Sequence, residues 1–440
     1  MGFRVAIFTV GCRANQADSD RLARSLDPRF VELTDGRGSF DIAVINTCCV
    51  TAQAERDCRK LVRRALRASP AASVIVTGCA VSAIEGFVDN LGTEVEALGG
   101  GDDDPAILAA VISERAAQTV GSPSAGERPS VWAAARTRPL LKVQNGCTHD
   151  CAYCVVPAAR GPERSEPLTT VIERAEQLAS EGFVEIVLTG VQLGAWGRDL
   201  PGRPRLAELV RTVADRFAPG RVRLSSIEPW SVDDELLELI IGHERVCAHL
   251  HIPLQSGDDR VLETMGRGYR AVEVLDLVER ARNLDADLAL GTDVICGFPG
   301  EDRASFESTL KVLEQLEPSY LHAFSFSARP GTRAARLPGA LDHREIKRRV
   351  SEVIALGEAS TRRFQARLVG QVREVVVESR RGAEPRGLTD NYVSVALKDD
   401  AARVGDLVWV ELGIGAGTGL RQVGVLRYED HPKSRSEYQA

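Results

Sequence analysis

The segment Asn145–Cys154, with the sequence NGCTHDCAYC, places three cysteines in a C-x3-C-x2-C pattern. It follows the apolar run Leu140–Val143, so the cysteines are predicted to lie on a loop after a strand. Three thiolates this close in sequence can bind one metal centre, but the loop offers no fourth cysteine. Structural zinc takes four ligands, whereas a cluster held by three thiolates keeps one iron open for a small molecule. The alternative is three unrelated buried thiols, because free cysteine packs as a small apolar residue.

Length and composition indicate an ordinary globular protein with more than one domain. The chain has 440 residues, which exceeds what one hydrophobic core usually supports. Hydrophobic residues make up 44% of it and charged residues 27%, a common balance. The net charge of −7 argues against indiscriminate nucleic-acid binding but is compatible with a local basic patch.

The first residues of the chain and the number of cysteines indicate the cellular compartment in which the protein works. The first residues, Met1–Phe8, are typical of a strand and lack a signal-peptide pattern. No apolar run is long enough for a transmembrane helix, so we expect no membrane association and a cytoplasmic location. In that reducing compartment, the ten cysteines indicate metal sites rather than disulfides.

Residues 1–120 alternate apolar runs with helical patterns, which predicts a parallel sheet covered by helices on both faces. The candidate strands are Arg4–Val10, Asp41–Asn46 and Ser73–Thr77. One cysteine after each strand is a candidate metal ligand, namely Cys12, Cys48 and Cys79. Because parallel strands end at one edge of a sheet, these three thiolates are expected to converge there. Thiols that merely pack at strand ends are the alternative.

A strand–helix unit repeats six times between residues 136 and 366, which predicts parallel strands with right-handed crossovers. The predicted strands are Leu140–Gln144, Glu185–Thr189, Arg221–Ser225, Ala248–Pro253, Leu288–Val294 and Tyr320–Ser325. Six units are too few for a closed eight-stranded barrel, so we expect an incomplete, TIM-like (β/α)6 barrel. Polar and glycine-rich segments follow the strands, at the end of the barrel where such enzymes build active sites. The three-cysteine loop belongs to the same end.

Short Val-rich runs occupy residues 367–430 and predict a small antiparallel β-barrel of OB-like kind. They are Val372–Glu378, Tyr392–Ala396, Leu407–Leu412 and Gln422–Arg427. Residues 121–135 are polar and turn-forming, which predicts a linker, and residues 431–440 are predicted to be disordered. The predicted fold class is therefore α/β, with a parallel-sheet domain, an incomplete barrel and a small β-barrel in that order.

Several segments resemble the radical S-adenosylmethionine (SAM) methylthiotransferases, beyond the C-x3-C-x2-C pattern that radical SAM enzymes share. Gly11–Ser19 and Asn46–Thr51 resemble the N-terminal module of this family, and Gly387–Val393 resembles part of the RNA-binding TRAM domain. The resemblance covers the chain and implies a methylthiotransferase domain at 1–120, a radical SAM domain at 136–366 and a TRAM-like domain at 367–430. It also implies SAM and two 4Fe–4S clusters as cofactors.

The resemblance also implies roles for individual residues. Cys147, Cys151 and Cys154 would hold the catalytic cluster, and Cys12, Cys48 and Cys79 the auxiliary cluster. Cys48 occupies the ligand position of the family motif, so we expect Cys49, Cys58, Cys247 and Cys296 to pack. The implied SAM pocket consists of Thr189, Gly190, Val191, Glu228, Gln255 and Asp293.

The resemblance implies an enzyme that modifies tRNA. In the family, the catalytic cluster reduces SAM to give a radical that removes hydrogen from carbon 2 of an adenine. The auxiliary cluster supplies a sulfur methylated by a second SAM. The implied partners are tRNA, a sulfur donor and an electron donor such as flavodoxin or ferredoxin.

Three segments are most similar to the threonylcarbamoyladenosine tRNA methylthiotransferases, which act at position 37 beside the anticodon. These are Lys142–Cys147, Leu224–Pro229 and Phe324–Thr332. Enzymes that act on isopentenyladenosine in tRNA or on a ribosomal-protein aspartate are the alternatives. The chain departs from the pattern near the expected pocket at Ala158, Glu228 and Ala328. A non-catalytic RNA-binding protein with iron–sulfur or zinc sites is a different class, but structural sites do not use open metal positions.

Three further features allow two interpretations each. A basic helix, with Arg56, Arg59, Lys60, Arg63, Arg64 and Arg67, is either a solvated face or a phosphate-contacting face. His249 and His251 face one side of a strand as a possible metal pair, but we expect no third ligand nearby. Arg329 is expected at the open side of the barrel, either as a surface residue or as a clamp for the substrate carboxylate.

Overall fold

The computed structural model describes residues 2–92, 95–101, 103–121, 136–381, 384–398, 403–414 and 419–426. The predicted linker after Gly121 and the predicted tail lie outside the described residues. Within the described part of the chain, no helix is long and apolar enough to cross a membrane.

The N-terminal sheet is parallel, as predicted, but has five strands instead of three. In spatial order they are β2 (Val31–Thr34), β1 (Phe3–Thr9), β3 (Ile42–Thr47), β4 (Ser73–Gly78) and β5 (Val95–Ala97). The helices are α1 (Arg13–Ser25), α2 (Ala52–Ala68), α3 (Cys79–Ala83) and α4 (Pro105–Val120). Every residue of the central strand β3 is buried, whereas the two strands that the sequence did not predict are short edge strands with partly exposed residues.

The central domain contains six parallel strands that curve into an open barrel. They are β6 (Leu140–Asn145), β8 (Glu185–Gly190), β9 (Arg221–Leu224), β10 (His249–His251), β11 (Ala289–Cys296) and β12 (Tyr320–Ser325). A parallel bridge between Val222 and Val246 joins β9 to the segment that leads into β10. The short β7 (Arg164–Ser165) pairs with β6, and no described residue pairs β12 with β6 or β7. The incomplete barrel is therefore confirmed.

Eight helices accompany these strands. They are α5 (Val156–Arg160), α6 (Leu168–Ser180), α7 (Leu206–Arg216), α8 (Asp234–Gly242), α9 (Asp259–Met265), α10 (Ala271–Leu284), α11 (Arg303–Leu316) and α12 (His343–Arg367). The outward side chains of the strands, such as Leu188, Leu290 and Val294, pack with helix residues into one continuous core.

A closed five-stranded barrel follows α12. Its strands, in spatial order, are β13 (Val372–Arg381), β14 (Glu384–Thr389), β15 (Ser394–Ala396), β17 (Leu420–Leu426) and β16 (Leu407–Ile414). Four of the strand pairs are antiparallel, as expected, but β15 and β17 pair in parallel. The sequence did not predict β14, which contains a proline and a glycine and is therefore atypical of a strand.

A buried charge network joins the two barrels. Glu185 on β8 is fully buried and contacts Arg221 Nε at 2.8 Å and Arg223 Nε at 2.7 Å. Arg221 Nη1 also donates to the Glu374 carbonyl at 3.0 Å, and Arg223 Nη2 donates to the Thr389 carbonyl at 2.9 Å. One carboxylate therefore holds two guanidinium groups against the backbone of the small barrel.

Replacing Glu185 by glutamine should lower the free energy of unfolding by about 3–5 kcal/mol at neutral pH, because buried Arg223 loses its carboxylate partner and Arg221 keeps only the one on Glu374. Burial disfavours the charged form of Glu185, but Arg223 and Arg221 outweigh that effect and lower the pKa of Glu185. The contribution of Glu185 is present above the unfolded pKa of a glutamate, about 4.3, and is lost as the pH falls below it. The difference between the two proteins in urea unfolding should therefore shrink in acid. Glu307→Gln is the matched control, since its exposed pair with Arg303 should contribute about 0.5 kcal/mol or less.

Candidate active site

The C-x3-C-x2-C loop is held in place by backbone contacts with distant segments. The Ala152 amide donates to the Met265 carbonyl at 2.7 Å, and the Ala152 carbonyl accepts from the Ala334 amide at 2.8 Å. Gly146 has φ = 74°, and a Cβ there would lie 1.9 Å from the Pro162 carbonyl oxygen, so only glycine fits. These contacts fix the position of all three cysteines at the open end of the barrel.

The three thiols share one partly buried environment. Burial, with Cys151 adding to it, raises the pKa of Cys147 to about 11 and that of Cys154 to about 12. As metal ligands all three would be thiolates, so this site favours a cationic centre that stabilises negative sulfur.

Arg267 provides a positive charge next to the first site. The residue is 8% exposed, and its guanidinium group donates from Nη1 to Cys151 Sγ at 3.3 Å and forms an ion pair with Glu228. It also lies over the rings of Trp230 and Tyr269, at 5.4 and 5.1 Å from their centroids. Arg267 was not predicted from the sequence, and Glu228 was expected in the SAM pocket. In the structure, that carboxylate lies beside the cysteine loop and neutralises Arg267.

The remaining SAM-pocket predictions fall into two groups. Thr189, Gly190 and Val191 lie at the end of β8, next to Gln192, whose Oε1 accepts from Cys147 Sγ at 3.6 Å. The Gln255 backbone amide donates to the Asp293 carbonyl at 2.8 Å, so Gln255, in the segment after β10, lies beside Asp293 on β11. The structure thus brings the first group to the cysteine loop and places the second group at β11.

The second cysteine set lies at the carboxyl ends of three neighbouring strands, β1, β3 and β4. Burial, with the nearby Cys12 and Cys79 adding to it, raises the pKa of Cys48 to about 12. Gly11 has φ = 104°, and a Cβ there would lie 2.6 Å from Cys48 Sγ, so glycine is required for this approach. The predicted convergence of Cys12, Cys48 and Cys79 is present.

Cys49 has a contact that the sequence did not predict. A hydrogen bond with Cys49 is the main reason why the pKa of Cys79 is lowered to about 6, and Arg160 contributes to the same shift. The same hydrogen bond, together with burial, raises the pKa of Cys49. Cys58 contacts the neighbouring loop instead, where its Sγ accepts from the Cys48 amide at 3.4 Å. Cys49 therefore contacts a predicted ligand, in addition to packing.

A buried Asn–Arg pair connects the two cysteine sets. Asn15 Nδ2 donates to the carbonyls of Val10 and Thr47, both at 2.8 Å, and so ties the Cys12 loop to the Cys48 loop. Asn15 Oδ1 accepts from Arg160, which also donates from Nε to Cys79 Sγ at 3.2 Å. Arg160 belongs to α5, which follows the C-x3-C-x2-C loop and packs against α3, which begins at Cys79. The two cysteine sites are therefore neighbours, joined by Asn15 and Arg160.

Comparison with known proteins identifies the family. Residues 141–313 match the family model described as Radical SAM superfamily, and residues 4–98 match the one described as Uncharacterized protein family UPF0004. Threonylcarbamoyladenosine tRNA methylthiotransferase MtaB of Rickettsia prowazekii is 34% identical to this chain, over 94% of the chain and 96% of the relative. The MtaB protein of Thermotoga maritima is 35% identical, with 85% and 86% covered. The chain belongs to the radical SAM methylthiotransferases.

A second named group within the family is almost as similar to this methylthiotransferase. The tRNA-2-methylthio-N(6)-dimethylallyladenosine synthase of Erythrobacter litoralis is 33% identical, over 93% of this chain and 94% of the relative. Among solved structures, the radical SAM methyltransferase TsrM of Kitasatospora setae has a TM-score of 0.55 at 17% identity, with 76% and 77% covered. That likeness confirms the fold.

As a radical SAM methylthiotransferase, this enzyme uses SAM and two 4Fe–4S clusters. The donor sets fit these clusters, since each site offers three thiol groups. A single zinc ion would bring thiolate sulfurs to about 3.8 Å from one another, given Zn–S bonds of about 2.3 Å. Among the described residues, only His251, Asp293 and His322 place three ligand atoms within 4.8 Å of one another. The cysteine sulfurs are therefore spaced more widely than one metal ion requires.

The histidine prediction needs correction. His249 and His251 do face one side together, and both contact the Tyr320 hydroxyl, at 2.7 and 2.9 Å. The expectation that no third ligand lies nearby is wrong, because Asp293 and His322 meet His251 inside the barrel of the methylthiotransferase. The two Asp293 oxygens each contact one histidine at 3.0 Å. The His322 contact is a hydrogen bond, whereas buried His251 Nε2 faces the second Asp293 oxygen without hydrogen-bond geometry.

The interpretation of Arg329 as a surface residue is wrong. The residue is 3% exposed, and its Nη2 donates to Glu55 Oε2 at 2.7 Å. Glu55 lies on α2 and also pairs with Arg59. In this methylthiotransferase, Arg329 therefore joins the barrel to the N-terminal domain, and its charge is already neutralised.

Proposed function

We propose that this enzyme adds a methylthio group to carbon 2 of N6-threonylcarbamoyladenosine at position 37 of tRNA. The observation that carries the proposal is the pairing of two three-thiol sites around Asn15 and Arg160, in a chain similar to MtaB proteins over most of its length. When bound, the clusters and SAM supply the radical and the methylated sulfur. The chain contributes the thiolates, Cys147, Cys151 and Cys154 at one site and Cys12, Cys48 and Cys79 at the other.

We infer further roles around these ligands. Thr189, Gly190, Val191, Glu228, Gln255 and Asp293 are proposed to line the SAM pocket. The first three lie beside Cys147, and Glu228 lies close to Cys151 through Arg267. An electron donor of the flavodoxin or ferredoxin class and a separate sulfur donor would complete the reaction. Because tRNA is the proposed substrate, we place the enzyme in the cytoplasm.

Nucleoside mass spectrometry of tRNA tests the proposal. A strain that lacks this gene should accumulate threonylcarbamoyladenosine without its methylthio group, and the intact gene should restore the modification. Loss of the methylthio group from isopentenyladenosine would assign the enzyme to the second group of relatives. An unchanged tRNA profile, with a lost modification on a ribosomal protein, would contradict the proposal.

A basic face on α2 supports tRNA as the partner. The helix has six basic and two acidic side chains, and its buried residues Cys58, Val62 and Ala65 share the opposite face. Arg63, Arg64 and Arg67 are exposed and have no acidic or hydrogen-bonding partner among the described residues. Because α2 begins just after Cys48 and Cys49, this face extends from the auxiliary site, where RNA phosphates would follow it.

Replacing Arg63, Arg64 and Arg67 by alanine should weaken tRNA binding at least tenfold at low salt. The logarithmic dependence of affinity on salt should fall by about one unit for each lost phosphate contact. A filter-binding or fluorescence titration at several salt concentrations measures both effects. SAM cleavage without tRNA should stay unchanged.

The matched control neutralises Arg211, Arg216 and Arg280, which are exposed but already paired with carboxylates. Equal losses in both variants would mean that the α2 face is only a solvated surface.

A further inference from the structure

We propose that Arg160 is a positioning residue that fixes the Cys79 thiolate and raises the reduction potential of the auxiliary cluster. The inference rests on the proposed assignment of Cys79 as a ligand of that cluster. It assigns a role to a side chain that belongs to the other site, since Arg160 lies on the helix that follows Cys147, Cys151 and Cys154.

The contacts of Arg160 leave its guanidinium group little freedom. The residue is 1% exposed, and Nε donates to Cys79 Sγ at 3.2 Å. Nη1 donates to Asn145 Oδ1 at 2.8 Å, and Nη2 donates to Asp18 Oδ2 at 2.9 Å and to Asn15 Oδ1. The acceptors come from the Cys12 loop region, from Cys79 and from the strand before Cys147. One planar group with fixed donor directions thus sets the relative positions of both ligand sets.

The electrostatic effect of this arrangement has a definite sign. Reduction adds negative charge to an iron–sulfur cluster, so a nearby cation and a hydrogen bond to a ligand sulfur both stabilise the reduced state. Arg160 supplies both, from a buried position where water screens its charge only weakly. The reduction potential of the auxiliary cluster should therefore lie above the value it would have without Arg160.

Asp18 modulates the same effect in the opposite direction. Its carboxylate pairs with Arg160 through Oδ2 and with the buried Lys142 through Oδ1. It therefore offsets part of the positive charge near Cys79. Removing the Asp18 charge should raise the potential of the auxiliary cluster, whereas removing the Arg160 charge should lower it. Opposite shifts from two neighbouring variants distinguish an electrostatic role from a purely structural one.

The experiment uses the full chain, reconstituted anaerobically with iron and sulfide, as wild type, R160Q, R160K and D18N. Reductive titrations followed by electron paramagnetic resonance give the midpoint potential of each cluster, and added SAM identifies the signal of the catalytic cluster. We expect the auxiliary potential to shift to more negative values in R160Q, to recover in part in R160K and to shift to more positive values in D18N. The catalytic cluster should keep its potential in all variants. R282Q is the control, because Arg282 donates to the Glu317 carbonyl at the other end of the barrel.

Iron analysis accompanies each titration. If R160Q loses the auxiliary cluster, D18N still carries the test, because it keeps Arg160 and removes only the opposing charge. An auxiliary potential that stays unchanged in D18N, or in R160Q at full iron content, would overturn the inference, as would equal shifts in both clusters. The measurement needs no tRNA, so a wrong substrate would leave the result unaffected. Wild-type protein with one cluster only would overturn the ligand assignment and this inference together.

Discussion

Replacement of Cys147, Cys151 and Cys154 by alanine is expected to abolish SAM cleavage and to halve the iron content of the reconstituted enzyme. Two 4Fe–4S clusters correspond to about eight iron and eight sulfide per chain, and the variant should retain about four of each. SAM needs the open iron of the catalytic cluster, and the three thiols of this loop are the proposed ligands of that cluster. Iron and sulfide assays, with chromatography of 5′-deoxyadenosine after reduction, measure both results.

Cys247→Ala and Cys296→Ala provide the controls for this variant. Both cysteines are buried at barrel strands, and burial raises their pKa values, to about 11 and about 12, respectively. Each replacement should leave the iron content and SAM cleavage unchanged. A single tightly bound zinc in the wild-type protein would contradict the two-cluster assignment for this chain.

Replacement of Cys12, Cys48 and Cys79 by alanine should abolish methylthio transfer while reductive SAM cleavage continues. These residues lie on the N-terminal sheet, and their removal leaves the backbone contacts of Ala152 with Met265 and Ala334 in place. The catalytic loop should therefore keep its geometry. Uncoupled 5′-deoxyadenosine formation and the absence of methylthiolated nucleoside, measured in one reaction by mass spectrometry, give the expected result.

Cys49 and Cys58 supply matched controls because both are buried next to the replaced residues. Cys58→Ala should keep methylthio transfer, since the hydrogen bonds of the Cys58 thiol go to the Cys48 backbone and not to a proposed ligand sulfur. Cys49→Ala should also keep the cluster, with four iron at the site, because Cys48 lies close to both Cys12 and Cys79. Normal product formation by the Cys12/Cys48/Cys79 variant would show that the N-terminal site is structural.

The strands of the fold were largely predictable from the sequence because buried strands have continuous Val- and Ile-rich runs. β3 and β4 show this pattern clearly, and so does β8 in the barrel. β2 and β5 lack it, since edge strands bury fewer residues and tolerate polar side chains. β14 contains Pro385 and Gly387, which lower its strand propensity, and its position is determined by pairing with β13.

The cysteines of both sites were predictable, whereas the residues that connect the sites were not. The proposed ligands form a short motif or follow strands, and these are local patterns. Arg160 and Arg267 are single arginines in unremarkable segments, and their partners Cys79 and Cys151 are distant in the sequence. The environment of Arg329 was not predictable either, because its position after β12 suggested an exposed surface. Packing against α2 buries it beside Glu55.

The network around Glu185 limits how the enzyme can be dissected. The guanidinium groups of Arg221 and Arg223 end on carbonyls of β13 and β14 and of the turn after β14. A truncation after α12 would remove these acceptors and leave two buried cations with fewer partners than their donors require. A shortened protein that fails to bind tRNA would therefore not show that the small barrel binds RNA. Point substitutions on the outer surface of that barrel are the cleaner way to map its contribution.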